Sequence, residues 1–134
     1  MYLLDRNILS ELMKKHPNPN FLTRLRSEPP HALFTSSICV FELRFGSALR
    51  SDFKTFWPKI MNEILSLITV LPFGEEESLM AGDNMAELQQ TGQKIGLEDV
   101  FIASTALVHG YKLVTANIKH YFRIKDLKIE NWIK

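Results

Sequence analysis

The sequence predicts an α/β domain whose mainly parallel sheet is covered by helices on both faces. Short apolar runs of the kind found in buried strands alternate along the chain with longer segments of helical periodicity. This alternation requires crossover connections, which make neighbouring strands parallel. The chain has 134 residues, of which 46% are hydrophobic and 23% charged, so it is long enough for one domain with a substantial core.

The predicted strands are short apolar runs that stop at polar residues. The first run, Tyr2 to Leu4, ends at Asp5, and the fourth run ends before Ala116 and Asn117. The predicted strands span residues 2–4, 32–35, 68–71 and 112–115, with a short edge strand over residues 128–130. In an open α/β sheet, the loops that leave the carboxyl ends of the strands form the ligand crevice. We therefore expect a functional site where Asp5 and Asn117 leave the sheet.

The predicted helices are bounded by capping residues and prolines. They span residues 7–13, 18–26, 38–49, 52–67 and 75–91, followed by a helix that Glu98 or Asp99 caps and that ends at residue 109. Asn18 precedes a proline at the first helical position, and Ser36 and Ser37 offer capping oxygens to the third helix. Gly110 is placed to end the last helix in a left-handed conformation.

Charge, cysteine content and hydropathy limit the classes of function. The net charge of +1 lacks the basic signature of many nucleic-acid binders, although a basic rim around an acidic pocket would give the same sum. Cys39 is the only cysteine, so an intramolecular disulfide is excluded, and its apolar surroundings predict a buried side chain. No apolar run approaches the ~20 residues of a membrane span, and no signal-peptide pattern opens the chain. We expect a cytoplasmic protein.

Acidic and amide side chains near the predicted sheet edge indicate a divalent cation site. Asp5, Glu42, Asp99 and Asn117 offer the oxygen ligands that Mg²⁺ and Mn²⁺ prefer. The four histidines lack HxH and HExxH spacing, and the chain has neither a glycine-rich phosphate loop nor a GxSxG motif. Each residue also has a structural explanation: capping for Asp5 and Asp99, solvation for Glu42, a turn for Asn117. Spacing does not decide whether Glu98 or Asp99 is the third acid.

Four parts of the chain together carry a family pattern. They are Tyr2 to Leu12, Ser37 to Leu43 with Gly46, Ile95 to Ala103, and a closing part with Leu113 to Asn117, His120 to Phe122 and Glu130 to Trp132. In this order they resemble the PIN-domain ribonucleases, specifically the VapC toxins of bacterial type II toxin–antitoxin modules. The resemblance extends along the whole chain.

The resemblance implies a PIN-like three-layer α/β/α domain with a mainly parallel sheet of four to five strands, formed by residues 1–134 as a single domain. It implies Mg²⁺- or Mn²⁺-dependent endonucleolytic cleavage of RNA, commonly tRNA or ribosomal RNA. It also implies a homodimer and a cognate VapB-type antitoxin that blocks the site. Asp5, Glu42 and Asp99 would be metal ligands, Asn117 would take the place of the fourth polar residue, and Thr115 would line the site.

Arg6 departs from the family pattern, which has Thr or Ser directly after the first aspartate. Its guanidinium could pair with the carboxylates and compete with the metal, or it could contact a substrate phosphate. Arg6, Asn7 and Glu98 are predicted to line the site together with Thr115. If Arg6 displaces the metal, the chain would instead be a catalytically impaired module that still binds its antitoxin. A weaker alternative is a phospho-accepting, receiver-like domain that uses Asp5.

The hypothesis for the reaction is attack of a metal-activated water on a backbone phosphorus, which leaves 5′-phosphate and 3′-hydroxyl ends. A set of basic and aromatic residues near the fourth strand could hold the RNA through phosphate contacts and stacking, while a solvated surface is the alternative interpretation for each single lysine. This set consists of Lys112, Lys119, Arg123, Lys125 and Lys128 with Tyr121 and Phe122. The aromatic residues Phe53, Phe56 and Trp57 are predicted to pack in the core, with dimer or antitoxin contacts as the second interpretation.

Overall fold

A five-stranded parallel sheet forms the centre of the structure, a computed structural model that describes residues 1–133. The strands are β1 (Tyr2–Leu4), β2 (Leu33–Ser36), β3 (Thr69–Leu71), β4 (Lys112–Val114) and β5 (Ile129–Glu130). Their order across the sheet is β3-β2-β1-β4-β5, and every pair of neighbours is parallel. The prediction of a mainly parallel sheet of four to five strands is confirmed.

Seven α-helices are found in the described part of the chain. They are α1 (Arg6–Leu12), α2 (Pro19–Arg26), α3 (Ser37–Ala48), α4 (Phe53–Glu63), α5 (Glu75–Gln90), α6 (Leu97–His109) and α7 (Ile118–Tyr121). Short 3-10 turns span Pro30–Ala32 and Leu65–Leu67. Within residues 1–133, the helices are too short or too polar to cross a membrane.

Both faces of the central strands are covered. Leu3 and Leu4 point to opposite faces because successive side chains alternate along a strand, and both are completely buried. Leu113 and Val114 on the neighbouring strand β4 are buried in the same way. A parallel sheet buried on both faces is the middle layer of three, in agreement with the predicted α/β/α architecture.

The helix boundaries differ from the predicted ones in three places. The helix α6 begins at Leu97, and its N-cap residue is Gly96, which has no side chain to offer; the prediction that Glu98 or Asp99 caps this helix is therefore wrong. Both acids lie in its first turn instead. The helix predicted over residues 52–67 ends at Glu63, and α7 was not predicted, since its four residues lack a measurable periodicity.

The carboxyl ends of β1, β2 and β4 meet at one edge of the sheet. Leu4 is in register with Val114, and the Asp5 amide donates to the Val114 carbonyl at 3.0 Å. The Thr35 hydroxyl donates to the Leu4 carbonyl at 2.8 Å and ties β2 to the end of β1. As a result, the residues that follow these three strands enter one region of the surface.

Candidate active site

Asp5 is buried at this edge, with 4% of its surface exposed, and hydrogen-bond donors surround its carboxylate. Oδ1 accepts from the Arg6 amide at 2.7 Å, which makes Asp5 the N-cap of α1. Oδ2 accepts from the Thr115 hydroxyl at 2.8 Å, the Tyr121 hydroxyl at 3.0 Å and the Asn7 side-chain amide at 3.2 Å. The sequence analysis left helix capping and a place in the site as alternative roles for Asp5. In the structure, Oδ1 caps α1 while Oδ2 contacts the other residues of the candidate site.

The burial of Asp5 raises the pKa of its carboxyl above the ordinary value. Hydrogen bonds from Thr115, Arg6 and Tyr121 lower this pKa, but their effect is smaller than that of burial, and the charge of Asp99 raises it further. The folded protein therefore holds a carboxylate whose negative charge is only partly stabilised. A cation at this place would stabilise the charged form.

Asn7 and Thr115 connect the end of β1 to the end of β4. The Asn7 side-chain amide donates to the Thr115 hydroxyl oxygen at 3.2 Å, and its carbonyl oxygen accepts from the Ala116 amide at 2.9 Å. The Asn117 amide also donates to the Thr115 hydroxyl oxygen, at 3.0 Å. Thr115 is fully buried, whereas Asn117 is exposed and contributes its backbone amide to this network. A role for the Asn117 side chain stays a prediction.

The helix α3 brings Glu42 and Cys39 to Asp5. These two residues are three apart and therefore share one face of the helix. One potential ligand atom each from Asp5, Cys39 and Glu42 lies within 4.8 Å of the other two. Burial raises the pKa of Glu42, the charge of Arg6 lowers it, and the charges of Asp5 and Asp99 raise it. Across residues 1–133, the Glu42 carboxylate makes no hydrogen bond, so its oxygens are available to a ligand.

Cys39 is completely buried, as its apolar neighbours predicted, but its position beside the acids was not predicted. Its Sγ lies 4.0 Å from Asp5 Oδ1 and accepts from the Ser36 hydroxyl at 3.4 Å. Burial, followed by the charge of Asp5, raises the pKa of the thiol to about 12. The thiol of the metal-free protein is therefore protonated at neutral pH, which makes Cys39 a poor nucleophile.

Asp99 is connected to Asp5 through one side chain. The Tyr121 hydroxyl lies 3.1 Å from Asp99 Oδ1 and 3.0 Å from Asp5 Oδ2, and His120 Nδ1 lies 3.1 Å from Asp99 Oδ2. Glu98 is exposed, and its charge contributes to the raised pKa of Glu42. The structure thus places Asp99 in the network around Asp5, while Glu98 lies at the rim.

The contact of Tyr121 with Asp5 and Asp99 is a feature of the site that sequence reasoning missed. Tyr121 was predicted to stack on RNA, but its ring is completely buried in the core, so this prediction is wrong. His120 is exposed and contacts Asp99 directly. The short helix α7 turns Tyr121 inward and leaves Phe122 outside, with 61% of its surface exposed. No sequence pattern distinguishes these neighbouring aromatic residues.

Arg6 lies at the edge of the acidic group without pairing with it. Its backbone amide donates to Asp5 Oδ1, and its charge lowers the pKa of Glu42. Its side chain is exposed, and no ion pair of its guanidinium is found among the residues that the structure describes. Arg6 therefore weakens the local negative potential but leaves the carboxylate oxygens accessible.

A groove of about 450 Å³ with basic walls adjoins Asp99. Lys94, Lys119 and Arg123 line it together with His120, and Arg123 donates to the Lys94 carbonyl at 3.2 Å. Part of the predicted RNA-binding set lies elsewhere. Lys112 begins β4 and Lys128 precedes β5, which places both at the amino-terminal edge of the parallel sheet, away from the acids. Their positions therefore support Lys119 and Arg123 as RNA-binding residues and argue against Lys112 and Lys128 in that role.

Comparison with known proteins agrees with this geometry. The profile of the PIN domain matches residues 2–126. The chain belongs to the PIN domain family. This assignment confirms the resemblance found in the sequence, and PIN nucleases generally depend on divalent metal ions, in agreement with the acidic group around Asp5.

Individual PIN relatives cover nearly the whole chain. "VapC ribonuclease Y4jK" from Sinorhizobium fredii is 36% identical over 120 residues, which are 86% of each chain. Among solved structures, FitAcB from Neisseria gonorrhoeae has a TM-score of 0.90 at 28% identity, with 98% of each chain covered. VapBC2 from Rickettsia felis, solved bound to a DNA fragment from the promoter of the pair, has a TM-score of 0.85 at 32% identity, again with 98% of each chain covered.

Proposed function

We propose that this PIN-domain protein is the ribonuclease toxin of a VapBC-type toxin–antitoxin pair and that Asp5, Glu42 and Asp99 hold its divalent metal ion. Residues 1–134 would act as a single PIN domain, in the cytoplasm where the RNA lies. The observation that carries the proposal is that the carboxylates of Asp5, Glu42 and Asp99, which follow β1 or lie on α3 and α6, come together in one region. The charges of Asp5 and Asp99 both raise the pKa of Glu42, and one hydroxyl contacts both Asp5 and Asp99. Relatives of similar length are named VapC ribonucleases, which supports the same activity.

The chemistry of the donors fits Mg²⁺ or Mn²⁺. These ions take carboxylate oxygens together with water and substrate phosphates. The Cys39 thiol beside the acids is kept protonated by its raised pKa, and His120 is engaged with Asp99. The set of available donors thus consists of oxygens and does not resemble a zinc site.

The bound cation would supply a Lewis acid that lowers the pKa of a water molecule and stabilises negative charge on the phosphate and the leaving oxygen. Four hydrogen-bond donors orient Asp5. His120 Nδ1 and the Tyr121 hydroxyl contact Asp99, and the single hydrogen of that hydroxyl is donated either to Asp5 or to Asp99. Glu42 lacks such donors within residues 1–133, which makes it the carboxylate best suited to accept the proton of the attacking water.

The reaction forms a bond between the water oxygen and phosphorus and breaks the bond between phosphorus and the 3′ oxygen. The products would carry 5′-phosphate and 3′-hydroxyl ends. The substrate is RNA, with tRNA or ribosomal RNA as the expected class. The basic groove beside Asp99 supports this proposal, because Lys94, Lys119 and Arg123 can contact backbone phosphates next to the acidic site.

An exposed apolar stripe on α3 supports the proposal of protein partners. Phe41, Phe45 and Leu49 follow one another at intervals of four residues and are 57%, 60% and 76% exposed. The stripe begins next to Glu42, so a partner that covered it would also approach the site. The proposed partners are a VapB-type antitoxin and a second copy of the chain, and the solved VapBC2 complex of Rickettsia felis supports the first of them.

Cleavage of cellular RNA with and without a chelator tests this function. The wild-type protein with Mn²⁺ is expected to cut RNA into fragments with 5′-phosphate ends, and either chelation or Asp99→Asn is expected to abolish cleavage. Fragments that end in 2′,3′-cyclic phosphate would contradict the proposal, because they arise from attack by the RNA's own 2′-hydroxyl. Absence of cleavage together with tight antitoxin binding would favour the impaired module, for which the unpaired Arg6 guanidinium currently offers no support.

A further inference from the structure

One hydroxyl group separates two of the proposed metal ligands. The Tyr121 ring is fully buried in the core, and only its hydroxyl reaches the site. That hydroxyl lies 3.0 Å from Asp5 Oδ2 and 3.1 Å from Asp99 Oδ1. Asp5, Cys39 and Glu42 each have a potential ligand atom within 4.8 Å of the other two, and this group does not include Asp99. The Tyr121 hydroxyl instead lies between the carboxylates of Asp5 and Asp99.

We infer that Tyr121 is a positioning residue whose hydroxyl sets the separation of the Asp5 and Asp99 carboxylates and thereby the affinity of the site for divalent cations. This inference rests on the proposed metal site. Tyr121 itself would touch neither the cation nor the RNA.

The hydroxyl does not compete with a cation for Asp5. Each carboxylate oxygen has about two lone pairs, and Oδ2 of Asp5 already accepts from Thr115 and Asn7 besides Tyr121. Among residues 1–133, Oδ1 accepts only from the Arg6 amide and, at 4.0 Å, from the Cys39 thiol. A cation therefore approaches Oδ1, and Tyr121 acts on the opposite oxygen.

Removal of the hydroxyl would leave Asp99 less restrained than Asp5. Asp5 keeps its bonds to Arg6, Asn7 and Thr115, whereas Asp99 keeps only the contact with His120, which is itself exposed. Like charges repel, so the freed Asp99 carboxylate would rotate away from Asp5.

Tyr121→Phe tests the inference, because it keeps the buried ring and removes only the hydroxyl. The measurement is the dissociation constant for Mn²⁺ alone, by calorimetry without RNA. We expect binding about 10-fold weaker than in the wild type, at the lower end of the ~10- to 100-fold range for residues that orient metal ligands. Tyr111→Phe is the matched control, because Tyr111 lies at the far end of β4 beside Phe34 and should leave Mn²⁺ affinity unchanged.

Two further measurements separate positioning from a merely structural role. Thermal unfolding in chelator shows whether Tyr121→Phe is folded, and a structural role alone would lower its melting temperature without changing Mn²⁺ affinity. In the Asp99→Asn background, Tyr121→Phe should weaken Mn²⁺ binding by less than about 2-fold, since the hydroxyl then has only one carboxylate to position. Unchanged or tighter binding by Tyr121→Phe alone overturns the inference, whereas a wild-type chain that binds no Mn²⁺ overturns the metal site itself.

Discussion

Asp5→Asn and Asp99→Asn should both abolish RNA cleavage but differ in their effect on folding. Only donors surround the Asp5 carboxylate. An asparagine in its place must point its own amide nitrogen either at the Arg6 amide, now 2.7 Å from Oδ1, or at the Asn7 and Thr115 donors around Oδ2. Either orientation places donor against donor in a buried site.

The magnitude follows from the number of donors that lose an acceptor. A buried donor without a partner costs about 1–3 kcal/mol. Removal of the buried charge offsets part of this cost, because burial raises the pKa of Asp5. We expect a net loss of about 1–2 kcal/mol, and because a chain of this length has an unfolding entropy of ~0.28 kcal/mol/K, the melting temperature should fall by about 4–7 °C.

Asp99→Asn should be nearly neutral for stability. Its amide carbonyl can accept from the Tyr121 hydroxyl in place of Oδ1, and its amide nitrogen can donate to His120 Nδ1 when the imidazole proton is on Nε2. No two hydrogen-bond donors face each other in this variant, so the change in the free energy of unfolding should stay within about 0.5 kcal/mol. The two substitutions are chemically identical, which makes each the control for the other.

Thermal unfolding of wild type and both variants in chelator at pH 7, with RNA cleavage measured in Mn²⁺, provides the assay. We expect the wild type and Asp99→Asn to have similar melting temperatures and Asp5→Asn to have a clearly lower one. If Asp5→Asn unfolds at or above the wild-type temperature, the cost of burying the Asp5 charge exceeds the value of its donors and the reasoning is wrong.

Three further predictions concern charge. Burial raises the pKa of Glu42 above its ordinary 4.5, so the metal-free wild type should lose more stability than Glu42→Gln as the pH rises above that value; Asp5, whose pKa is also raised, contributes to the loss in both proteins. Equal falls in the melting temperatures of the two proteins between pH 4.5 and 7 in chelator would refute this prediction. Arg6→Thr should bind Mn²⁺ a few-fold more tightly in calorimetry, because Arg6 weakens the negative potential at Glu42, and an unchanged affinity would refute the effect. Lys119→Glu should weaken RNA binding in Ca²⁺ and reduce its salt dependence, with Lys112→Glu at the opposite edge of the sheet as the control that should behave as wild type.

Local signals predicted most of the elements. The strand Tyr2–Leu4 was predicted at its exact bounds, and Asn18 caps α2 through a 3.0 Å bond to the Phe21 amide, as the following proline indicated. Gly110 has a φ of 69°, which is the left-handed conformation that ends α6. Such features depend on residues within one turn of each other, so the sequence contains the interactions that decide them.

The start of α6 shows where local signals are insufficient. An aspartate before an apolar helix usually caps it, and Asp99 was therefore placed at the cap. The N-cap is instead Gly96, three residues earlier, and the helix begins at Leu97, which turns Asp99 toward Tyr121 and His120. Contacts across 21 and 22 residues thus compete with the local capping preference, and only the folded chain shows which prevails.

The sequence by itself determined the parallel α/β class and the family, because periodicity, caps and ordered motifs are written in adjacent residues, and it left Glu98 and Asp99 as alternatives for the third acid. The tertiary structure decided which oxygen of Asp5 is free, that Tyr121 lies beneath two carboxylates instead of on the surface, and that two of the predicted basic residues lie on the wrong edge. These facts depend on strand order and on packing between segments about 100 residues apart, such as the Thr115 and Tyr121 hydroxyls at Asp5. Long-range packing of this kind leaves no pattern in a single sequence, since its energy comes from which surfaces meet after folding.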